Sequence, residues 1–409
     1  MEDAKMESFR DWADLPGDLL RSIDELLGMP YCIWFRVVCQ SWRAALPGLP
    51  RPWLVIPDGW RASENMHHFT FVTIPEPIFE RLALPNSPCV GSTAGWLALL
   101  DANLVITLLN PLTRAQVRLP TLLCDGRLQA SSVGFVVGTI QDMQPRVYQH
   151  NLIHKIAFSA DPTAQDHAVA VLCRSGLGLA FLKAGQDDWQ WMNWPDAAGR
   201  EEPGLGEVND SGNTDLDITY HNGKFYYMTL CGQIWSIDAA ASAPVVPVPF
   251  AKCRPQLGPD HRHYGKHLVF DQDGTMYVVW SDGPGLPWNT RTRPLRMQVQ
   301  RYHPGSSRHR LWRKARHLSG QAFLIGNRSQ SLAVPSSTVS APSTWIRPNC
   351  VYFTCIMPGS DYIATYECLH PDIWEFNVKT GVFRVVCDID DFPDWVEWTK
   401  AIWFTPSLS

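Results

Sequence analysis

Alternate residues on an extended strand project from one face, so His261, His263 and His267 are the first place in this chain to look for a metal centre. No acidic ligand stands beside them, and the run from His261 to His267 reads better as a polar loop entering a strand from His267 to Phe270. The eleven cysteines, from Cys32 to Cys387, include no C-x-x-C pair that could clamp zinc or exchange a dithiol, and they read as reduced core residues. The chain also lacks G-x-S-x-G, G-x-x-x-x-G-K-[ST], H-E-x-x-H and G-x-G-x-x-G. No catalytic residue, metal or cofactor is therefore expected.

The remaining chemistry is recognition by charge. From Gly283 to Ser360 there is no Asp or Glu, while Arg291, Arg293, Arg296, Arg301, Arg308, Arg310, Arg313, Lys314 and Arg316 crowd the first half of that stretch. Guanidinium groups pair carboxylates and phosphates bidentately, which makes Arg291, Arg293, Arg296, Arg308, Arg310 and Arg313 candidates for docking an acidic or phosphorylated protein. The bland alternative is a set of solvated faces neutralised by acids elsewhere. A formal charge of −5 and a pI near 6.2 oppose a dedicated nucleic-acid or membrane-surface role, and neither an RNA-binding signature nor zinc-finger spacing accompanies the basic run.

These residues need elements to position them. At 45% hydrophobic and 18% charged, the 409-residue chain can bury a large core. Its amino terminus has no basic region followed by an apolar run, and no stretch is long enough to span a bilayer, so a cytoplasmic or nuclear location without membrane contact is expected. Residues 16 to 27 read as a helix: Pro16 suits the first position, Asp18 favours the positive end of the dipole, and Gly28 with Pro30 stops it. Leu19, Leu20, Ile23, Leu26 and Leu27 form an apolar stripe along it. A second helical stretch carries Ile33, Trp34, Phe35, Val37 and Val38, and a third carries Trp42 before Leu46 and Pro47. A unit under about 40 residues has too little interior to satisfy so many large apolar side chains, and it must lean on the rest of the chain or on a partner.

The run Leu15-Pro16, Leu19-Leu20, Ile23, Leu26-Leu27 and Val38-Cys39-x-x-Trp42-Arg43 resembles the F-box, with its L-P start and V-C-x-x-W-[RK] finish. That resemblance implies docking on a Skp-type adaptor, and through it on cullin and RING subunits. Leu15 and Pro16 would fix the entry to the helix, and Leu19, Leu20, Ile23 and Trp42 would be the anchors. Leu26, Leu27, Val38 and Cys39 would extend the surface.

Beyond Trp42 the texture changes. Pro47, Pro50, Pro52 and Pro57 mark residues 47–86 as linker and entry segment. After that, short β-rich runs alternate with turns: Val105–Leu109, Ala168–Cys173 and Lys224–Leu230 are strands. His221-Asn-Gly-Lys and Asp271-Gln-Asp-Gly-Thr are hairpin turns. Repetition of such units predicts a mainly β domain over 87–405, a β-propeller of six or seven blades, since blades take about 40 to 50 residues each. A large sandwich or two barrels are the alternatives, less able to hide long edges.

Several blocks in order resemble the plant F-box family that carries a KIB-type, kelch-like β-propeller: Pro52–Pro57, Cys89–Ser92 with Gly95–Leu97, Leu109–Thr113 with Leu119-Pro120, Asn222–Tyr226, His267–Phe270, Gly320–Gly326 and Asn349–Phe353. The Pro/Arg-rich stretch 283–294 and the Ser-rich stretch 334–343 depart from it and lengthen loops. The two resemblances together imply a non-catalytic substrate receptor of a cullin–RING ubiquitin ligase: a tail (1–10), a helical F-box (11–46), and a propeller holding an unidentified target protein. A propeller enzyme or lectin-like binding protein with no ubiquitin role is the alternative.

Overall fold

A computed structural model of the chain describes residues 12–27, 31–36, 38–46, 52–57, 68–72, 79–83, 87–101, 103–122, 153–159, 161–173, 178–192, 217–229, 232–241, 244–254, 264–282, 296–305, 311–326, 328–336, 345–354, 373–387 and 401–406. His261, His263, Arg291, Arg293, Arg308 and Arg310 lie outside these residues.

A short 3-10 turn at Trp12–Asp14 leads into α1 (Gly17–Leu26), which begins behind Pro16 and carries Asp18 in its first turn. Next come α2 (Tyr31–Phe35) and α3 (Gln40–Ala45). α2 is shorter than its apolar run suggests, and Val38 falls in the bend after it. The reason is local: Cys39 takes an extended conformation so that its Sγ can accept the Trp42 amide and cap α3.

Strands make up the rest. β1 (Trp53–Pro57), β2 (His68–Val72) and β3 (Phe79–Ala83) lie in the segment that its prolines marked as linker. Pro52 precedes β1 and Pro57 closes it, positions where a missing amide does not interrupt a ladder. The second sheet is β4 (Cys89–Thr93), β5 (Trp96–Leu100), β6 (Val105–Leu109) and β7 (Gln116–Thr121). The third is β8 (Ile153–Phe158), β9 (Ala168–Cys173), β10 (Gly178–Lys183) and β11 (Gln190–Met192). The fourth is β12 (Asp217–His221), β13 (Lys224–Met228), β14 (Gln233–Asp238) and β15 (Val248–Lys252). The fifth is β16 (Tyr264–Phe270), β17 (Met276–Asp282), β18 (Met297–Tyr302) and β19 (Trp312–Lys314). The sixth is β20 (Ala322–Ile325), β21 (Leu332–Val334), β22 (Cys350–Thr354), β23 (Ile373–Asn377) and β24 (Phe383–Cys387), in the order β21-β20-β22-β23-β24 with β20 and β22 parallel. The last strand, β25 (Ile402–Phe404), returns to the first sheet and pairs with β1.

The strands β25, β4, β8, β12, β16 and β21 lie side by side around a centre, so the six sheets are the blades of a propeller. A blade has a neighbour on both faces, which is why β4, β5 and β9 are buried along their whole length instead of alternating. The turn at Asn222-Gly223 joins β12 to β13 with both residues at positive φ, 44° and 77°, the conformation that its sequence demands. Trp403 on β25 lies opposite Leu54 on β1, and its Nε1 donates to the Ile325 carbonyl in the sixth blade (2.9 Å). Ser92 Oγ in the second blade donates to the Trp403 carbonyl (2.5 Å). Strands from opposite ends of the chain thus clasp the ring shut.

Candidate functional site

The helical unit is held together by contacts that account for part of its motif. Leu20, Trp42 and Leu46 are buried, with Leu15, Phe35, Cys39 and Ala45 packed around them. The Trp42 ring lies 4.6 Å from Phe35, and its Nε1 donates to the Trp12 carbonyl (2.8 Å). Arg36 pairs with Asp24 and donates to the Leu46 carbonyl (3.0 Å), tying α1 to the end of α3. This core consumes Leu20 and Trp42, two of the expected anchors. A three-helix unit has few other large residues with which to close itself.

What remains outside is apolar too. Leu19 (49% exposed), Ile23 (37%), Leu26 (86%) and Val38 (60%) face away from that core, and Trp12, Tyr31 and Trp34 are exposed as well. Leu27 is half-buried and Pro16 exposed. The apolar stripe of α1 therefore divides: Leu20 turns inward, while Leu19, Ile23 and Leu26 present a ridge to solvent. Exposed apolar area of this density is the kind of surface that partners cover in protein complexes.

A second polar arrangement lies at the centre of the ring. Lys155 on β8 forms an ion pair with Asp217 on β12, and both are fully buried. Lys155 Nζ also donates to the Gly326 carbonyl of the sixth blade (3.3 Å), and Asp217 accepts the amides of Ile218 (2.9 Å) and of Leu268 in the fifth blade (2.5 Å). Four blades thus meet on one pair. Burial raises the Asp217 carboxyl, against the pull of Lys155 and the two amides. Beside them His267 is buried with neither ring nitrogen partnered. Burial first, then the charges of Lys155, His154 and Lys266, holds it neutral, well below the ordinary histidine range.

Among the described residues no three or more His, Cys, Asp or Glu gather as a metal site, and the only histidine of the run 261–267 that the structure describes, His267, is this buried one. Cys89, Cys173, Cys253 and Cys350 are buried and free, and burial pushes the thiols of Cys89, Cys173 and Cys350 up to about 12. Such thiols pack; they do not attack. Of the expected basic docking residues, Arg296 and Arg313 are described and exposed. Sequence reasoning missed the Lys155–Asp217 pair, because nothing local to either residue signals a partner in another blade. No helix among the described residues is long and apolar enough to cross a membrane.

Comparison with known proteins adds the following. The family model described as KIB1-4 beta-propeller matches residues 62–384. F-box only protein 7 of Arabidopsis thaliana is 23% identical over 307 residues, which cover 68% of this chain and 72% of that protein. A second Arabidopsis F-box protein is 31% identical over 119 residues, 27% of this chain and 29% of its own length. Both agree with the resemblance carried by the motifs. Among solved structures, a Lactobacillus plantarum protein aligns at a TM-score of 0.35 and 10% identity over 83% of this chain and 99% of its own. A Cps50 (Swd1) β-propeller domain aligns at 0.32 and 10% identity over 78% of each chain. Scores this low say nothing about activity.

Proposed function

This chain belongs to the KIB1-4 β-propeller family, and on that premise we propose that it is the substrate-recognition subunit of a Skp–cullin–F-box ubiquitin ligase. The helical unit docks a Skp-type adaptor, and one face of the propeller holds a target protein. The chain itself carries out no bond chemistry. It raises the local concentration of the target's lysines at a thioester carried by another subunit, an effect of proximity. Supporting this reading are the motif from Leu15 to Arg43 and the naming of both plant relatives as F-box proteins.

One observation carries it: α1 buries Leu20 in its own small core and leaves Leu19, Ile23 and Leu26 outside. Had the whole stripe been needed for folding, no apolar ridge would remain to offer. The test is co-expression with a Skp-type adaptor and capture through a tag on the adaptor. Leu19→Asp combined with Ile23→Asp is expected to abolish capture while the melting profile of the propeller stays unchanged, because both positions are exposed. Undiminished capture of that variant would remove the assignment.

A further inference from the structure

Arg347, in the same acid-free stretch from Gly283 to Ser360, belongs to an ion cluster on the sixth blade. Tyr352 on β22, Glu375 on β23 and Arg384 on β24 lie in one row across three adjacent strands, so their side chains share a face. Tyr352 Oη donates to Glu375 Oε2 (2.6 Å), and Arg384 Nη2 donates to the same oxygen (3.0 Å). From the segment ahead of β22, Arg347 Nη1 comes within 3.9 Å of the other oxygen, Oε1. Glu375 is buried, whereas the side chains of Arg347 and Arg384 are 57% and 43% exposed.

The cluster is fixed from within. Tyr352 is buried, its ring edge-on to Trp345 (4.9 Å), and its Oη also accepts the Arg347 amide (2.7 Å). One hydroxyl thus ties the backbone of Arg347 to the carboxylate, and Trp345 in turn stacks on Trp403 of the first blade (6.4 Å between centroids, 21° between planes). A purely structural pair would need one arginine. Oε2 already takes two hydrogen bonds, and an exposed guanidinium 3.9 Å from Oε1, beyond hydrogen-bond reach, adds little to stability. A guanidinium carries five N–H donors. Among the described residues Arg347 spends none of them in a hydrogen bond and Arg384 spends one, and Glu375 is the one carboxylate that answers both cations.

We infer that Arg347 and Arg384 form an oxyanion clamp on the sixth blade, and that it takes a phosphorylated residue of a target protein. Glu375 and Tyr352 are its positioning residues: they hold the two guanidinium groups beside one another and leave the cluster with a surplus positive charge. The number of free donors selects phosphate over carboxylate. One carboxylate is satisfied by a single guanidinium fork, whereas a phosphate monoester brings three acceptor oxygens and close to two negative charges, enough to engage both. The inference rests on the receptor reading for its biological meaning, capture of a target only after its phosphorylation, but uses none of the helical residues.

The test uses the full chain with its adaptor and a short fluorescein-labelled peptide carrying one phosphoserine, read by fluorescence anisotropy against its serine and glutamate counterparts. The phosphopeptide is expected to bind with Kd below about 1 mM and both counterparts roughly tenfold or more weakly. Arg347→Ala with Arg384→Ala is expected to abolish the preference for phosphoserine. Arg347→Ala alone removes no side-chain hydrogen bond among the described residues, so it is expected to keep the wild-type melting profile while weakening the phosphopeptide roughly tenfold. Absence of binding at that concentration, equal affinity for the serine or glutamate counterpart, or wild-type affinity in the Arg347→Ala chain would each overturn the inference. So would inorganic phosphate bound as tightly as the peptide, or a uridine oligonucleotide bound more tightly. Adaptor capture is measured on the same samples. Capture without peptide binding isolates failure of the clamp, and peptide binding without capture isolates failure of the receptor reading.

Discussion

The helical unit and the propeller treat their large apolar side chains in opposite ways. In the propeller most such residues are hidden between blades, the exposed ones among the described residues being Val246, Val248, Val382 and Val385: Trp96, Trp280 and Trp403 are essentially inaccessible, and successive clusters run around the ring. In the helical unit three residues form the buried core, while Trp12, Leu19, Leu26, Tyr31, Trp34 and Val38 stand in water. Exposed apolar surface is cheap only where something covers it, so on the proposed reading the difference separates a scaffold from an element that a partner completes.

The sharpest way to break this contrast is at the hub of the ring. Asp217→Asn leaves the Lys155 ammonium buried without a counter-charge, and Lys155→Met leaves the carboxylate so. Each is expected to cost about 3–5 kcal/mol of propeller stability in chemical denaturation. Lys155→Met combined with Asp217→Asn is expected to cost clearly less than the sum of the two singles, since it removes both charges together. Adaptor capture by the folded fraction is expected to stay intact throughout. Additive losses would mean that the pair is not a coupled unit.

Next in size is Trp42→Ala. Removing this ring from a core of three buried residues is expected to cost the helical unit about 3 kcal/mol or more and to unfold it while the propeller persists. Limited proteolysis would then clip residues ahead of β1, and adaptor capture would fall indirectly. A single shared loss of both regions would instead show that the two fold as one.

What could be read from the chain beforehand follows from how local each signal is. The Asn222-Gly223 turn and the strand Ala168–Cys173 are written in a few adjacent residues, and the structure displays them where the sequence puts them. The blade in residues 53–83 was hidden because its inner strand, β25, comes from the far end of the chain. The division of the α1 stripe was hidden for a similar reason: periodicity marks which residues share a face, but only packing against Phe35 and Trp42 decides that Leu20 turns inward and Leu19 does not. The Lys155–Asp217 hub joins residues in different blades and leaves no trace at either position.

A smaller effect sharpens the comparison through pH. His267 titrates near 6.5 when unfolded and well below that when folded, so below about pH 6.5 the unfolded chain binds a proton that the native propeller refuses. Propeller stability is therefore expected to fall by about 1.4 kcal/mol per pH unit from this group until its folded pKa is reached. Asp217, whose carboxyl burial raises, works in the opposite direction at lower pH, so the diagnostic is the difference between the wild type and His267→Met. That variant also removes two unpartnered ring nitrogens and is expected to be at least as stable at neutral pH. An acid slope identical to that of the wild type would show that His267 is not the sensor.

The smallest expected change in stability falls at the most exposed of these side chains. Leu26 is 86% exposed at the end of α1, so Leu26→Glu removes almost no buried area and is expected to shift stability by no more than about 0.5 kcal/mol. Its effect on adaptor binding has a different origin. A leucine at the edge of an apolar ridge loses little when truncated, but a carboxylate buried there by a partner must be desolvated, so affinity is expected to drop by more than tenfold, about 1.4 kcal/mol. Leu26→Ala at the same position would lower it less. Equal affinities for the wild type, Leu26→Ala and Leu26→Glu in a titration with purified adaptor would place Leu26 outside the interface and shift the docking ridge toward Leu19, Ile23 and Val38.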